Sequence, residues 1–364
     1  MIVGAVLMVV SGTVIVGGKV LLSRATSSVT RQDLLGETGV GGGKAANIDG
    51  AINILMVGLD QRPDFPEEKI RADTIVILHI PKSHDQAYLV SVPRDTRVRI
   101  PEYPKTNFRG ATDKINSAFA SGYLGPGSEL EKRARGVELL SKTIREMTGI
   151  QFTGAAIIDF VGFEAVMKEL GGVTMCIERR AESIHLAVND QGHVVKVWYD
   201  DVAGKVRGIP TGYHPIVYEP GCNQRLDPQH ALDYARIRKG ECCPNGDYDR
   251  QRHQQQLLKA IISESTSREV LTDPRKLARV TDAAGKAFVL DTQGVPIEDF
   301  VFTLKGVTSN DLILVKTNAG QTHPIGGTSD EELTDDTKDM LQSVRDDTLL
   351  DFLSDHPDFV ARTT

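Results

Sequence analysis

The sequence predicts an α/β fold in which a central mixed β-sheet is sandwiched by α-helices, preceded by an N-terminal transmembrane anchor. Three observations lead there. Nearly continuous apolar runs of strand length recur early in the chain, as in NILMVGL (Asn53 to Leu59) and DTIVILHI (Asp73 to Ile80), the pattern of strands covered on both faces. Further short strands alternate with segments of helical period, which calls for a sheet between helix layers. The first 22 residues form an apolar stretch whose only charge is Lys19, long enough to cross the hydrocarbon core of a bilayer.

We divide the chain accordingly into an anchor (1–22), a flexible linker (23–50) and an extracytoplasmic domain (51–364) with an acidic helical C-terminal extension. The alternative for residues 1–22 is a cleaved secretory signal, but no small-x-small cleavage site stands out. The linker reading rests on a Gly-, Ser- and Thr-rich composition without hydrophobic period. Its GVGGGKA stretch fails as a phosphate-binding loop, because Ala45 follows the lysine and no strand precedes it.

Within the domain, Asn53–Leu59, Asp73–Ile80 and Gln86–Val92 are expected to form an antiparallel meander, since Pro81 to Asp85 is long enough for a hairpin and too short for a helical crossover. Val137, Leu140, Ile144 and Met147 mark a helix over 129–148. Strands are expected at 155–159, 173–177 and 311–316, and helices at 160–170, 249–266, 274–287 and 297–306. The stretch Asp190 to His214, with the only Trp of the chain, reads as an inserted hairpin arm or loop. Leu349, Leu350, Phe352 and Leu353 supply a packing stripe for the C-terminal helices.

The net charge of −7 argues against a dedicated nucleic-acid binder, and no helix-turn-helix with a basic face is present. The four cysteines include no CxxC pair and no histidine at zinc-finger spacing. Behind an export segment their even number reads as disulfides, and we expect Cys176, at a strand end, to join Cys222, in a Gly-Cys turn. Cys242 and Cys243 would then be free or bonded to each other.

The meander gathers Asp60, Arg62, Asp73, Arg94 and Asp95 at one sheet edge. Farther on, Arg250 and Gln254 fall on the same helix face as Leu257, Leu258 and Ile261 and should point inward, where an arginine is costly unless it meets an anion. Arg236 and Arg238 flank Ile237 and, if extended, share one side of the chain. Guanidiniums suit phosphates, and carboxylates without nearby histidine or thiolate suit Mg²⁺. The residues themselves therefore point to a metal-assisted pyrophosphate site. Asp159 and Asp227 read as capping or pairing residues, and Lys114 alone would pass as a surface residue.

The segments GLDQR, RADTIVIL, SVPRDT, DKINSAFASG, DFVGFEAVMKELGGV, RLDPQHALDYARIR and NGDYDRQRHQQQLLKAI, in this order over Ile52 to Ile262, resemble the LytR-CpsA-Psr phosphotransferases. The later NAG and the acidic tail are similar to actinobacterial-type members. The resemblance implies a hydrophobic groove for a polyprenyl tail and a reaction that moves a phosphoglycan from a polyprenyl-pyrophosphate donor to peptidoglycan at the membrane. It implies that Asp60 and Asp73 hold Mg²⁺, and that Arg62, Arg94, Lys114, Arg236 and Arg238 bind the two phosphates. Asp247, Arg250 and Gln254 would complete the pyrophosphate site, with Asp95 holding the arginines. Asp73, Arg94, Asp95 and Arg250 are then the candidate catalytic residues. His253 departs from the family pattern, where many members carry Arg, and takes no role. A lipid-pyrophosphate hydrolase and a non-catalytic glycopolymer-binding module remain as alternatives.

Overall fold

A computed structural model describes residues 29–40, 48–59, 70–297, 299, 307–308 and 311–361. The chain enters with a short strand, β1 (Thr30–Arg31), and continues through β2 (Ile52–Leu59), β3 (Ala72–Ile80) and β4 (Ala87–Val92). β2 and β3 pair antiparallel from Ile52↔Ile80 to Leu59↔Ala72, and β3 and β4 from Ile75↔Val92 to His79↔Tyr88, as the meander predicts. Side chains of β2 alternate between two buried clusters: Ile54 and Met56 on one face, Leu55 and Val57 on the other. Burial on both faces explains why the sequence runs apolar without a polar alternate.

A small hairpin follows, β5 (Arg97–Ile100) with β6 (Ala111–Lys114), and then two helices, α1 (Asn116–Tyr123) and α2 (Glu129–Thr148). α2 spans the range its periodicity predicts. It opens on a capping box between Ser128 and Glu131 and stops at Gly149, whose φ of 75° suits a residue without Cβ. α1 and α2 pack closely: a Cβ on Gly122 would lie 2.4 Å from the Arg135 carbonyl oxygen.

β7 (Gly154–Asp159) runs parallel to β2 and leads into α3 (Phe160–Leu170). β8 (Val173–Ile177), expected in the central sheet, instead pairs outside it. The excursion that follows comprises β9 (Ala181–Asn189), β10 (Val194–Lys196), β11 (Trp198–Asp200), β12 (Lys205–Arg207), β13 (Tyr213–Tyr218) and β14 (Gly221–Leu226). β14 is the antiparallel partner of β8, and their ends are joined by the Cys176–Cys222 disulfide. Within the excursion β11 and β12 form the hairpin arm.

Four helices follow: α4 (Pro228–Arg236), α5 (Asp247–Ser265), α6 (Arg268–Thr272) and α7 (Pro274–Ala287). Asp227 caps α4 by accepting from the His230 N–H at 3.0 Å, the capping role its position predicts. Cys242 and Cys243, in the α4–α5 loop, are bonded to each other. β15 (Phe288–Asp291) and β16 (Leu312–Val315) return to the sheet, and α8 (Asp335–Arg345) and α9 (Leu349–Asp355) close the chain. Leu349 and Leu353 are buried as the stripe predicts, whereas Leu350 faces solvent. The central sheet has seven strands in the order β1-β15-β7-β2-β3-β4-β16, with parallel and antiparallel neighbours. The core on one face includes Val166 of α3, Ala235 of α4, Leu258 of α5 and Val280 of α7, and on the other Phe119 of α1, Leu140 of α2 and Met340 of α8.

The expected linker needs correction. β1 lies beside β15, Leu34 and Leu35 are fully buried, and the Leu34 and Leu35 N–H groups donate to Asp291 Oδ2 at 2.9 and 3.0 Å. Two adjacent leucines in a polar stretch carry no period, so their anchoring by a distant buried carboxylate leaves no local signature. The expected anchor lies outside the described residues, as does most of the expected helix at 297–306. Among the described residues no helix is long and apolar enough to cross a membrane.

Candidate active site

The β3–β4 hairpin sets the first half of the site. Because Ile75 pairs with Val92, the start of β3 lies beside the end of β4, and Asp73 meets Arg94. The Arg94 guanidinium ion-pairs with Asp73 Oδ1 at 2.5 Å, and its Nε lies 3.5 Å from Asp247 Oδ1 and 3.7 Å from Asp95 Oδ2. Lys114 joins from β6, which is tied to this edge by the Ile115 N–H donating to the Thr96 carbonyl at 2.8 Å. Its Nζ contacts Asp95 Oδ1 at 2.7 Å and Ser329 Oγ at 2.9 Å. The structure thus brings Asp73, Arg94, Asp95 and Lys114 together. Asp60 and Arg62 lie outside the described residues.

α5 supplies the second half. Gln255 fastens the helix to the sheet through hydrogen bonds to the carbonyls of Leu89 (3.0 Å) and Val315 (3.1 Å). Beside it, Gln254 accepts a hydrogen bond from Thr74 Oγ1 at 2.9 Å. Arg250, one turn back, donates to the Asp73 carbonyl at 3.0 Å and ion-pairs with Asp247 Oδ1 at 2.7 Å. Arg250 and Gln254 therefore project inward as helical spacing predicts. The inward arginine is not left without an anion, however: Asp247, three residues before it, supplies one.

The electrostatics are tightly balanced. Burial weakens the positive charge of Arg94, but Asp247, Asp73 and Asp95 outweigh it and raise its pKa. Arg250 shifts the other way: burial lowers it, Asp247 opposes, and Arg94 adds to the lowering. Burial alone would raise Asp247, yet Arg250 and Arg94 hold it below the usual carboxylate range. Despite these charge contacts, Arg94 Nε, Arg250 Nε and Asp247 Oδ1 are buried without an aligned hydrogen-bond partner. Two guanidinium N–H groups in one cleft thus retain unused donor capacity, the feature an anion with several oxygens would meet.

Arg236 and Arg238 depart from the extended geometry expected of them. Arg236 is the last residue of α4 and Ile237 its C-cap, so the two arginines do not share one side of a strand. Arg238 still acts on the site, lowering both Asp247 and Arg250 through space. It also contacts Asp201 of the hairpin arm at 3.4 Å.

Thr74 and Gln254 also line an apolar pocket with a cavity volume of about 40 Å³, walled besides by Met56, Val76, Phe163, Ala235, Leu257 and Leu258. It lies between the sheet and α3, α4 and α5. Thr74 and Gln254 connect this pocket to the charged cluster, next to Asp73 and Arg250.

Two groups of residues escape a reading of the sequence. The segment around Ser329 and Glu331 reaches the site from the far end of the chain: the Glu331 N–H donates to the Asp95 carbonyl, and the Arg97 N–H to the Glu331 carbonyl, both at 2.9 Å. Only its acidic, Gly-rich composition could have flagged it. Arg252 contacts Asp249 at 3.0 Å and Glu178 at 3.3 Å, while the adjacent His253 stacks on Tyr234. Burial, with Arg252 adding, pushes His253 down to about 3; it is a neutral core residue.

Among the described residues no group of three or more His, Cys, Asp or Glu could hold a metal ion. Mg²⁺ commonly takes only one or two protein carboxylates and fills its shell with phosphate oxygens and water. Asp73 fits that pattern as a hard oxygen donor at the cleft.

Fold and site together define a sheet-and-helix protein in which a cluster of paired guanidiniums and carboxylates adjoins an apolar pocket. The sequence profile of the LytR_cpsA_psr family matches residues 23–336, and the chain belongs to that family. It is similar to the cell wall biosynthesis protein LcpA of Corynebacterium glutamicum, with 28% identity over 302 residues, 77% of this chain and 52% of the relative. It is also similar to the polyisoprenyl-teichoic acid–peptidoglycan teichoic acid transferase TagU of Bacillus mycoides, with 25% identity over 264 residues, 70% of this chain and 69% of the relative. The chain thus spans about half the length of the Corynebacterium relative. Among solved structures, the crystal structure of B. subtilis TagV superposes with a TM-score of 0.54 at 21% identity, covering 85% of this chain and 99% of that one, a likeness of fold.

Proposed function

We propose that this protein transfers a phosphoglycan from a polyprenyl-pyrophosphate carrier to peptidoglycan. One observation carries the reading: Thr74 and Gln254, which wall an apolar pocket, adjoin Asp73 and Arg250 of the charged cluster. A ligand with an anionic head and a hydrocarbon tail matches both halves at once. The names of the relatives, a cell wall biosynthesis protein and a teichoic acid transferase to peptidoglycan, support the same chemistry.

In this reading the tail lies along Val76, Leu257 and Leu258, and Gln254 and Arg250 meet the phosphate next to it. Arg94 and Lys114 hold the phosphate that bears the glycan, with Asp95 fixing both cations and Arg62, Arg236 and Arg238 adding positive charge. An acceptor hydroxyl attacks the glycan-bearing phosphorus; the bridging P–O bond breaks and polyprenyl phosphate leaves. The protein's share is positioning and neutralisation of charge that spreads over the phosphoryl oxygens. Mg²⁺, held by Asp73 with Asp60, would add neutralisation of the pyrophosphate. Residues 1–22 would tether the domain to the outer face of the cell membrane, where donor and acceptor meet.

The test is incubation of the full chain, in detergent with Mg²⁺, with a synthetic polyprenyl-pyrophosphate-linked disaccharide and a soluble peptidoglycan fragment. Mass spectrometry should find the disaccharide phosphate on the fragment and polyprenyl phosphate released in equal amount. Release of lipid phosphate without glycan on the fragment would make the protein a hydrolase. Binding without release would make it a glycopolymer-binding module.

A further inference from the structure

The contacts of the site form a connected series that starts at the wall of the apolar pocket. Thr74 and Gln254 belong to that wall. Next come Asp73 and Arg250, then Arg94 and Asp247, then Asp95, then Lys114, and last Ser329, which receives Lys114 Nζ at 2.9 Å. A lipid tail in the pocket sets the direction of the pyrophosphate along this series, with the lipid-side phosphate nearest Gln254 and the glycan-side phosphate nearest Lys114. Displacement at phosphorus proceeds roughly in line. The attacking hydroxyl must therefore arrive opposite the leaving lipid phosphate, at the edge formed by Ser329 to Glu331.

That edge carries a carboxylate unlike the others of the site. Asp73 is paired with Arg94, Asp95 with Lys114, Asp247 with Arg250, and the neighbouring Asp330 with Arg97. Each of these carboxylates has an oxygen already engaged by a cation at contact distance. Among the described residues Glu331 has no lysine or arginine partner. Its backbone is bonded to Asp95 and Arg97 on either side, and its Oε2 accepts the His323 N–H at 2.6 Å and faces the Tyr248 hydroxyl of α5 at 3.4 Å. The carboxylate is half-buried, anchored through one oxygen.

We propose that Glu331 is the general base, taking the proton of the acceptor hydroxyl as the hydroxyl oxygen bonds to the glycan-bearing phosphorus. The proposal rests on the transferase reading. The proton passes to Glu331, the new P–O bond joins glycan phosphate to acceptor, and the electron pair of the broken bond leaves with the lipid phosphate. The surroundings of Glu331 favour proton uptake. Burial raises its pKa and Asp95 adds to this, against the lowering by the His323 N–H, the Tyr248 hydroxyl and the His323 charge. A base whose pKa is moved towards the working pH accepts protons more readily.

The experiment compares the full chain with Glu331→Gln and Glu331→Asp, using the synthetic disaccharide donor and peptidoglycan fragment across pH. Gln keeps an oxygen for His323 and Tyr248, so the fold should survive with an unchanged melting temperature. Turnover by Glu331→Gln should fall by roughly 10²–10⁴-fold, the range for loss of a general base, and the acid limb of its pH profile should vanish. Glu331→Asp should keep the limb at a reduced rate. Full turnover and an unaltered pH profile in Glu331→Gln would overturn the role of Glu331 while leaving the transferase reading intact. So would a lower rate with the acid limb unchanged, which marks a structural contribution. An unaltered chain that releases no lipid phosphate at all would overturn the transferase reading and this role with it.

Discussion

Arg250 meets Asp247 one helical turn before it, Nη2 to Oδ1 at 2.7 Å, and with the same nitrogen donates to the Asp73 carbonyl. The pair joins α5 to the start of β3, so a single guanidinium serves both the packing of the helix and the charge of the cleft.

Arg250→Ala should reduce turnover by roughly 10²-fold or more, as for loss of one preorganised donor. It should also destabilise the empty protein. Breaking a buried pair typically costs about 3–5 kcal/mol; Arg94 remains 3.5 Å from Asp247, so we expect roughly 2 kcal/mol. Melts and turnover on one preparation check this. A variant that melts normally would show that Asp247 does not depend on Arg250, and one that turns over normally while folded would remove Arg250 from the site.

Two buried histidines set a pH dependence of stability. Burial pushes His79 down to about 4, against the raising effect of Asp347, and His253 down to about 3. Both are neutral in the fold and take up protons more readily when unfolded. Their contribution is complete above the ordinary histidine value of about 6.5 and is lost as pH falls towards 4 and then 3. Denaturant unfolding from pH 7 to 4 should show falling stability, and His253→Phe, which keeps the stacking on Tyr234, should flatten the fall. A variant with the same slope as the unaltered chain would exclude His253 as a source.

Cys176 and Cys222 close a loop of sequence separation 46 across the β8–β14 ribbon. Limiting the unfolded chain this way is worth about 2–4 kcal/mol, so Cys176→Ser should lower stability by that amount. Peptide mapping of native, non-reduced protein should leave Cys176 unlabelled by an alkylating agent. A labelled Cys176 would end this assignment.

Much of the molecule was legible in local pattern. Continuous apolar runs marked β2, β3 and β4 because both faces of these strands are covered, and the short Pro81–Asp85 connection forced a hairpin. That hairpin alone places Asp73 beside Arg94. The period of α5 likewise aimed Arg250 and Gln254 inward, since residues four apart share a helix face. Arg236 was less tractable: whether a short stretch after a helix is extended depends on where the helix stops, and Arg236 proved to be its final turn.

What local pattern cannot carry is contact between segments far apart in the chain. Leu34 and Leu35 look like linker residues until Asp291 accepts their N–H groups, and Glu331 looks like one acidic residue among several until its backbone joins Asp95. The sequence by itself determined β2, β3, β4, β7, β8 and β16, the main helices and the sheet edge where charge collects, because periodicity and short turns are local physics. Only the tertiary structure decided that Asp247 satisfies Arg250, that β15 enters between β1 and β7, and that Glu331 stands without a cationic partner among the described residues at the far end of the cleft. Each depends on the packing of distant segments, where burial and paired backbone groups repay the entropy of bringing them together.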